Sequence, residues 1–159
     1  MRVTLGSDHA GFELKRALIA HLQQNGHTVV DVGTCNTDPV DYPDFAEAVG
    51  LSVLRGESER GILICGSGVG ASVAANKIPG VRAGLCHDSY SAHQGVEHDN
   101  TNVLVLGSRI IGPELAKDLS LIFLNATFSH GERHERRLAK IRNIETRYAS
   151  GLTATEKKS

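Results

Sequence analysis

Cys65 is the residue of this chain best placed to do chemistry, because it stands between an apolar segment and a glycine-rich turn. Residues 61–64 are apolar and predict a buried strand, and the turn carries Gly66, Gly68 and Gly70. Glycine lets a backbone bend sharply and approach a ligand closely. A thiol beside such a turn, near the start of a helix, is expected to have a lowered pKa. A thiolate facing backbone N–H donors is suited to removing a proton next to a carbonyl group.

Two other interpretations of this stretch stay open on the residues alone. A cysteine at the end of an apolar strand is often simply a small core residue. The spacing Gly66-x-Gly68-x-x-Ala71 also fits a dinucleotide-binding turn, with Asp88 near the position of a ribose-binding carboxylate. That match is weak alone, and it falls at the third predicted strand rather than the first.

The elements that must position Cys65 alternate between strands and helices. Apolar runs predict strands near residues 3–6, 28–32, 61–64, 81–86 and 102–107. Helical spacing, glycine and proline predict helices near 12–24, 44–54, 71–77, 89–97, 112–125 and 131–148. The alternation predicts an α/β fold, a three-layer α/β/α sandwich around a five-stranded parallel, Rossmann-like sheet. Residues 1–150 would form one domain, and residues 151–159 a polar, flexible tail.

Polar side chains follow the strands of this predicted sheet, where parallel α/β sheets bind their ligands. They are Asp8, His9, Asp41, Tyr42, Cys65, Ser67, His87, Asp88, Ser108 and Arg109. His98, Asp99 and Asn100 instead precede the fifth strand, which predicts a place near the opposite edge. Asp-Asn pairs are also ordinary turn formers, which is the structural alternative for this segment.

The last predicted helix combines cations with a narrow apolar stripe. Arg133 and Arg137 are four residues apart and therefore share a face. The stripe consists of Leu138, Ile141, Ile144 and Tyr148. A solvated helix with Glu–Arg pairs is the ordinary interpretation. The functional one is a C-terminal helix that reaches a partner subunit and carries guanidinium groups to an anion such as phosphate.

Composition argues against several classes of function. A net charge of −1 and 4% aromatic residues, with no Trp, disfavour nucleic-acid binding. Three cysteines are too few for a disulfide framework and indicate a reducing cytoplasm. No apolar run approaches the roughly 20 residues that span a bilayer, and the first apolar run is too short for a signal peptide. The eight histidines suggest no metal site.

Together these motifs resemble the ribose-5-phosphate isomerase B family of sugar-phosphate isomerases. The resemblance rests on seven segments in the family's order, at residues 6–11, 40–43, 65–70, 74–77, 98–104, 107–109 and 133–137. Any one segment is a weak signal, whereas seven in order are specific and cover nearly the whole chain to about residue 148.

The resemblance implies an aldose–ketose isomerase of the pentose phosphate pathway, interconverting ribose 5-phosphate and ribulose 5-phosphate through a cis-enediolate. It implies Cys65 as the base and His98 as the residue that opens the sugar ring, without cofactor or metal. It also implies a homodimer, or a tetramer, with a site shared between subunits. The implied substrate contacts are Asp8, Tyr42, Asp99 and Asn100 for the sugar, Gly66, Ser67, Gly68 and Gly70 for the enediolate, and His9, Arg109, Arg133, His134 and Arg137 for the phosphate.

The preferred sugar and the class of activity have alternatives. Asp99-Asn100 stands where many members of the family have Asn-Asp or Asn-Asn, which leaves the sugar open. An isomerase of allose 6-phosphate, galactose 6-phosphate or erythrulose 4-phosphate fits the same residues. A nucleotide-binding oxidoreductase and a non-catalytic sugar-phosphate binding module are the alternatives outside this class.

Overall fold

A single parallel sheet organises the computed structural model, which describes residues 1–149 and 151. Its five strands lie in the order β2-β1-β3-β5-β4. The strands are β1 (Arg2–Ser7), β2 (Thr28–Asp31), β3 (Arg60–Cys65), β4 (Ala83–Leu85) and β5 (Val103–Gly107). The helices are α1 (Phe12–Gln24), α2 (Tyr42–Leu54), α3 (Val69–Ala75), α4 (Ser89–Asp99), α5 (Pro113–Asn125) and α6 (Glu132–Tyr148). The α/β fold with a five-stranded parallel sheet is therefore confirmed.

Apolar side chains are buried on both faces of the sheet, which explains why its central strands are nearly continuous apolar runs. On one face, Leu5, Ile64 and Leu106 pack with residues of α1, α4 and α5. On the other face, Leu63 and Val105 pack with residues of α2 and α3. The three predicted layers thus follow from the alternation of side chains along each strand.

The predicted boundaries differ from the structure mainly at turns. The helix predicted near 44–54 begins two residues earlier, because α2 starts at Tyr42 and holds Pro43 in its first turn, where a missing N–H costs nothing. The turn after β1 contains a short 3₁₀ helix, His9–Gly11. β1 and β3 are neighbours, with Ser7 paired to Ile64. This register places Asp8 and Cys65 side by side.

α6 lies against its own chain. His134 and Leu138 are buried, and the Gly80 N–H donates to Glu145 Oε1 at 3.1 Å. Ile141, Ile144 and Tyr148 remain exposed. The apolar stripe is therefore covered in part within the chain, and contact with a partner subunit stays a prediction. The predicted tail, apart from Gly151, lies outside the described residues.

Candidate active site

The thiol of Cys65 lies against the carboxylate of Asp8. Sγ donates a hydrogen bond to Asp8 Oδ2 at 3.1 Å. The other oxygen of Asp8 accepts the Gly11 N–H at 3.0 Å, so the 3₁₀ helix fixes the carboxylate. Asp8 is only 5% exposed. A proton-accepting carboxylate is thus held in contact with the one thiol that the sequence predicts to be reactive.

The pKa of the Cys65 thiol is raised, so the expectation of a lowered pKa was wrong. Burial is the largest cause, and Asp8 raises the pKa further through its hydrogen bond and its charge. The N–H groups of Gly68 and Gly66 oppose this shift of the pKa. α3 has only seven residues, so its dipole is small. Once formed, a thiolate with a raised pKa is a stronger base, which suits removal of a proton from carbon.

Replacing Asp8 with asparagine should lower the pKa of Cys65 toward its ordinary value, because the negative charge disappears while burial remains. The ascending limb of kcat/KM against pH, which requires thiolate in the free enzyme, should then move to lower pH. Alkylation by iodoacetamide across pH measures the thiol directly. A Cys35→Ala background removes the exposed thiol that would also react. An unchanged alkylation profile would contradict the assigned cause.

A cavity of about 380 Å³ opens beside the thiol, large enough for a small ligand. Its lining residues are Asp8, His9, Ala10, Cys65, Gly66, Ser67, Arg109 and Ile110. Five of these residues were predicted from their positions after the strands, and a sixth, Gly66, belongs to the predicted glycine-rich turn. The guanidinium-bearing Arg109 is exposed, and it is available at this edge to an anion.

The turn after Cys65 requires glycine at two positions. Gly68 has φ +81°, and a Cβ there would lie 2.5 Å from Leu85 Cδ1. A Cβ at Gly70 would lie 2.7 Å from Cζ of Tyr42. Tyr42 therefore packs directly on the turn that follows Cys65, and its contact with a substrate stays a prediction. Ser67 is exposed, and its Oγ accepts the Val69 N–H at 3.3 Å.

The end of β5 supports the thiol-bearing turn from behind. The Ser108 N–H donates to the carbonyl of Cys65 at 2.9 Å, and the Arg109 N–H donates to that of Gly66 at 3.0 Å. The Ser108 hydroxyl donates to the carbonyl of Ala10 at 2.8 Å, which ties this segment to the 3₁₀ helix. Ser108 was predicted at this edge, but its structural role could not be read from the sequence.

Asp88 has a local role that accounts for its position. Its Oδ1 accepts the Ser91 N–H at 2.7 Å and caps α4. This hydrogen bond is the main cause of the lowered pKa of Asp88. The neighbouring His87 accepts the Gly107 N–H through Nε2 at 2.9 Å. The apparent ribose-binding carboxylate of a dinucleotide site is thus a helix cap in this structure.

The ring of His9 is oriented by the loop between β2 and α2. Nδ1 accepts the Val40 N–H at 3.1 Å, so the proton of the neutral imidazole lies on Nε2. Sequence reasoning placed His9 at the site but missed Val40, because a backbone donor leaves no signature in residue type.

A second group of predicted residues lies where α4 ends and α6 begins. His98 Nδ1 accepts from the Gln94 side-chain amide at 2.8 Å. Its carbonyl accepts from His134 Nδ1 at 3.1 Å, and the two rings are 4.2 Å apart. His134 Nε2 accepts from Arg133 Nε at 2.8 Å. Both nitrogens of His134 are therefore engaged within the chain.

The other predicted residues of this group are at the same end of α4 or along α6. Asp99 is exposed, and Asn100 ends α4 with φ +50°. Arg133 and Arg137 are exposed, and neither belongs to an ion pair among the described residues. Because α4 leads into the amino end of β5, this group lies toward the edge opposite Cys65. In the described part of the chain, none of its members lines the cavity at Cys65.

Across 1–149 and 151, no three His, Cys, Asp or Glu side chains are grouped so as to hold a metal ion. Within the same residues, no helix has both the length and the apolar character that crossing a membrane demands.

A half-buried thiol that is hydrogen-bonded to a buried carboxylate, beside an open cavity at the carboxyl edge of a parallel sheet, is typical of an α/β enzyme that acts on a small molecule. Comparison with known proteins makes the class specific. The family model described as Ribose/Galactose Isomerase matches residues 3–141. The chain therefore belongs to this family and is an isomerase. This finding favours the sugar-phosphate isomerase hypothesis over a nucleotide-binding oxidoreductase.

Individual relatives match over most of their length. Ribose-5-phosphate isomerase B of Escherichia coli is 47% identical over 92% of this chain and 97% of its own. D-erythrulose-4-phosphate isomerase of Pectobacterium atrosepticum is 41% identical over 82% of this chain and 87% of its own. The structure of Clostridium thermocellum ribose-5-phosphate isomerase B superposes with a TM-score of 0.90 at 46% identity, covering 92% of this chain and 99% of the other.

Proposed function

We propose that this chain interconverts ribose 5-phosphate and ribulose 5-phosphate, as a homodimer whose active site is shared between subunits. The observation that carries the proposal is the Cys65–Asp8 pair facing the cavity at the carboxyl edge of the sheet. The family membership and the names of the relatives from Escherichia coli and Clostridium thermocellum support the substrate.

The proposed reaction is a proton transfer between neighbouring carbons. The thiolate of Cys65 removes the proton from C2 of the open-chain aldose, the electron pair moves to the carbonyl oxygen, and a cis-enediolate forms. A proton passes from the O2 hydroxyl to O1, the thiol of Cys65 returns its proton to C1, and the carbonyl of the ketose forms at C2. The N–H groups of Gly66, Gly68 and Gly70, with the hydroxyl of Ser67, stabilise the negative charge. No electrons are exchanged with a cofactor, so none is needed.

Asp8 is proposed to have two tasks. In the free protein its carboxylate accepts the hydrogen bond of the Cys65 thiol. With substrate bound, it contacts sugar hydroxyl groups. Tyr42, which packs on Gly70 of the same turn, would contact the sugar as well. Phosphate would be bound by the Nε2–H of His9 and by the guanidinium of Arg109, both at the cavity.

The second group completes the site from the other subunit. His98 would open the sugar ring as an acid–base catalyst, with Asp99 and Asn100 near the sugar oxygens. Arg133 and Arg137, which are exposed and outside any described ion pair, would bind the phosphate. His134 would act through its neighbours, by orienting His98 and Arg133, rather than by touching phosphate itself.

We assign residues 1–150 to one sugar-phosphate isomerase domain, because every described strand belongs to one sheet. A cytoplasmic location is supported by the thiols of Cys35, Cys65 and Cys86, all unpaired.

Purified protein should convert ribose 5-phosphate to ribulose 5-phosphate at an undiminished rate when a chelator is present, because the proposed proton transfer uses only side chains and backbone. A coupled or circular-dichroism assay of ketose formation measures this rate, and the Cys65→Ala variant gives the background. A rate that falls with chelator and returns with added metal would contradict the mechanism.

Erythrulose 4-phosphate is the second candidate substrate, favoured by the relative from Pectobacterium atrosepticum. The assay is therefore repeated with erythrulose 4-phosphate, allose 6-phosphate and galactose 6-phosphate. The substrate with the highest kcat/KM identifies the preference. Binding of ribose 5-phosphate by calorimetry without turnover of any of the four would indicate a sugar-phosphate binding module instead.

A further inference from the structure

Lys15 is a charged residue on the core face of α1, outside the cavity at Cys65. Its side chain is 1% exposed, and its neighbours on that face, Leu14, Leu18 and Leu22, are buried apolar residues. Burying an ammonium group is unfavourable unless it is fully hydrogen-bonded. The contacts that satisfy this ammonium therefore indicate what the residue is for.

The ammonium of Lys15 holds the start of the loop between β2 and α2. Nζ donates to both carboxylate oxygens of Asp31 at 2.6 Å and to the carbonyl of Thr34 at 2.9 Å. Asp31 Oδ1 also accepts the Gly33 N–H at 2.9 Å. The Thr34 N–H donates to the carbonyl of Ser7 at 3.0 Å. The loop is thus tied to α1 and β1 at its first residues.

Glycine at position 33 allows this close approach. A Cβ at Gly33 would lie 2.8 Å from Lys15 Cδ and 2.6 Å from the nitrogen of Ser7. The loop backbone therefore runs directly over the Lys15 side chain, and its path depends on that side chain being in place.

The far end of the same loop reaches the candidate active site. The Val40 N–H donates to His9 Nδ1 at 3.1 Å, which leaves the ring proton on Nε2. The chain then enters α2, where Tyr42 packs on Gly70. One loop, residues 33–41, thus connects the buried Lys15 to His9 at the cavity and to Tyr42 at the start of α2.

We propose that Lys15 is a positioning residue for His9. Its ammonium fixes Thr34, the loop then presents the Val40 N–H to Nδ1, and His9 keeps its Nε2–H for the substrate phosphate. Asp31 is 43% exposed, and an ion pair with a buried member adds little net stability compared with a well-packed apolar residue. Lys15 therefore fixes the path of the loop rather than adding much to the stability of the fold. The ligand in this proposal rests on the proposed function, whereas the tautomer of His9 does not.

The test is Lys15→Met, which keeps the length of the side chain and removes its hydrogen bonds. Nitrogen-15 NMR of the imidazoles should show one tautomer of His9 in the wild type and a mixture in the variant. The KM for ribose 5-phosphate should rise about tenfold because an ill-positioned ligand to phosphate weakens binding. The kcat should change much less, because phosphate is bound equally in ground and transition states.

Leu22→Ala is the matched control, since Leu22 is buried on the same helix at its other end. It should lower the Tm while leaving KM and the His9 spectrum unchanged. If Lys15→Met does not fold, Asp31→Asn at the partly exposed end of the pair should shift KM and the spectrum in the same direction. A lowered Tm with unchanged KM and an unchanged His9 spectrum would overturn the proposal.

Failure of the proposed isomerase function can be distinguished from failure of the proposed role of Lys15. If the wild type does not turn over ribose 5-phosphate, titration with inorganic phosphate replaces KM. Weaker phosphate binding by Lys15→Met together with a mixed His9 tautomer would then still support the positioning role, and equal binding with one tautomer would refute it.

Discussion

Replacing Cys65 with alanine should lower kcat at least about 10³-fold, because the proton between the two carbons loses its acceptor. Binding of ribose 5-phosphate should change little, since the phosphate contacts proposed for His9 and Arg109 remain. Steady-state kinetics gives the first quantity and calorimetry gives the second.

Two further variants make the result specific. Cys65→Ser keeps a hydrogen-bond donor to Asp8 but not an acidic thiol, and it should be nearly as slow as the alanine variant. Cys35→Ala removes an exposed thiol and should keep full activity. A Cys65→Ala protein that retains more than about a tenth of the wild-type kcat would show that another group is the base.

A heterodimer of two inactive variants should regain about half of the wild-type activity if the site is shared in a twofold dimer. The variants are Cys65→Ala and His98→Gln, carried on subunits with different affinity tags. In the heterodimer one site carries both substitutions and the other carries neither. The expected recovery is large because each parent protein lacks one essential group in both of its sites.

The controls separate complementation from residual activity. A homodimer of either single variant, in which one subunit carries each tag, should stay inactive. A subunit that carries both substitutions, paired with a Cys65→Ala subunit, should also stay inactive, because no intact site can form. If the heterodimer of the two single variants is as slow as its parents, Cys65 and His98 do not come from different subunits.

Much of the fold follows from patterns that depend on near neighbours in the sequence. Phe12–Gln24 was predicted with its observed boundaries, because apolar spacing and the stop at Gly26, which has φ +80°, are both local signals. The start of α2 was missed because Pro43 suggests a loop, although proline is equally compatible with a first helical turn.

The candidate site was predictable only where topology alone decides the position. Asp8, His9, Cys65 and Arg109 share one edge because parallel strands end together. The direction of the Cys65 pKa shift was not predictable, since it depends on burial and on a carboxylate far away in the sequence. The hydrogen bonds of Lys15 and of His134 were missed because most of their partners are also far away in the sequence.

The contact between Tyr42 and Gly70 has a consequence for how this family of sequences can change. The ring occupies the space that any side chain at position 70 would need, since a Cβ there would lie 2.7 Å from Cζ. A larger residue at 70 is therefore tolerated only together with a smaller one at 42. We therefore expect positions 42 and 70 to change together in related sequences, because the size of the side chain at one position limits the size allowed at the other.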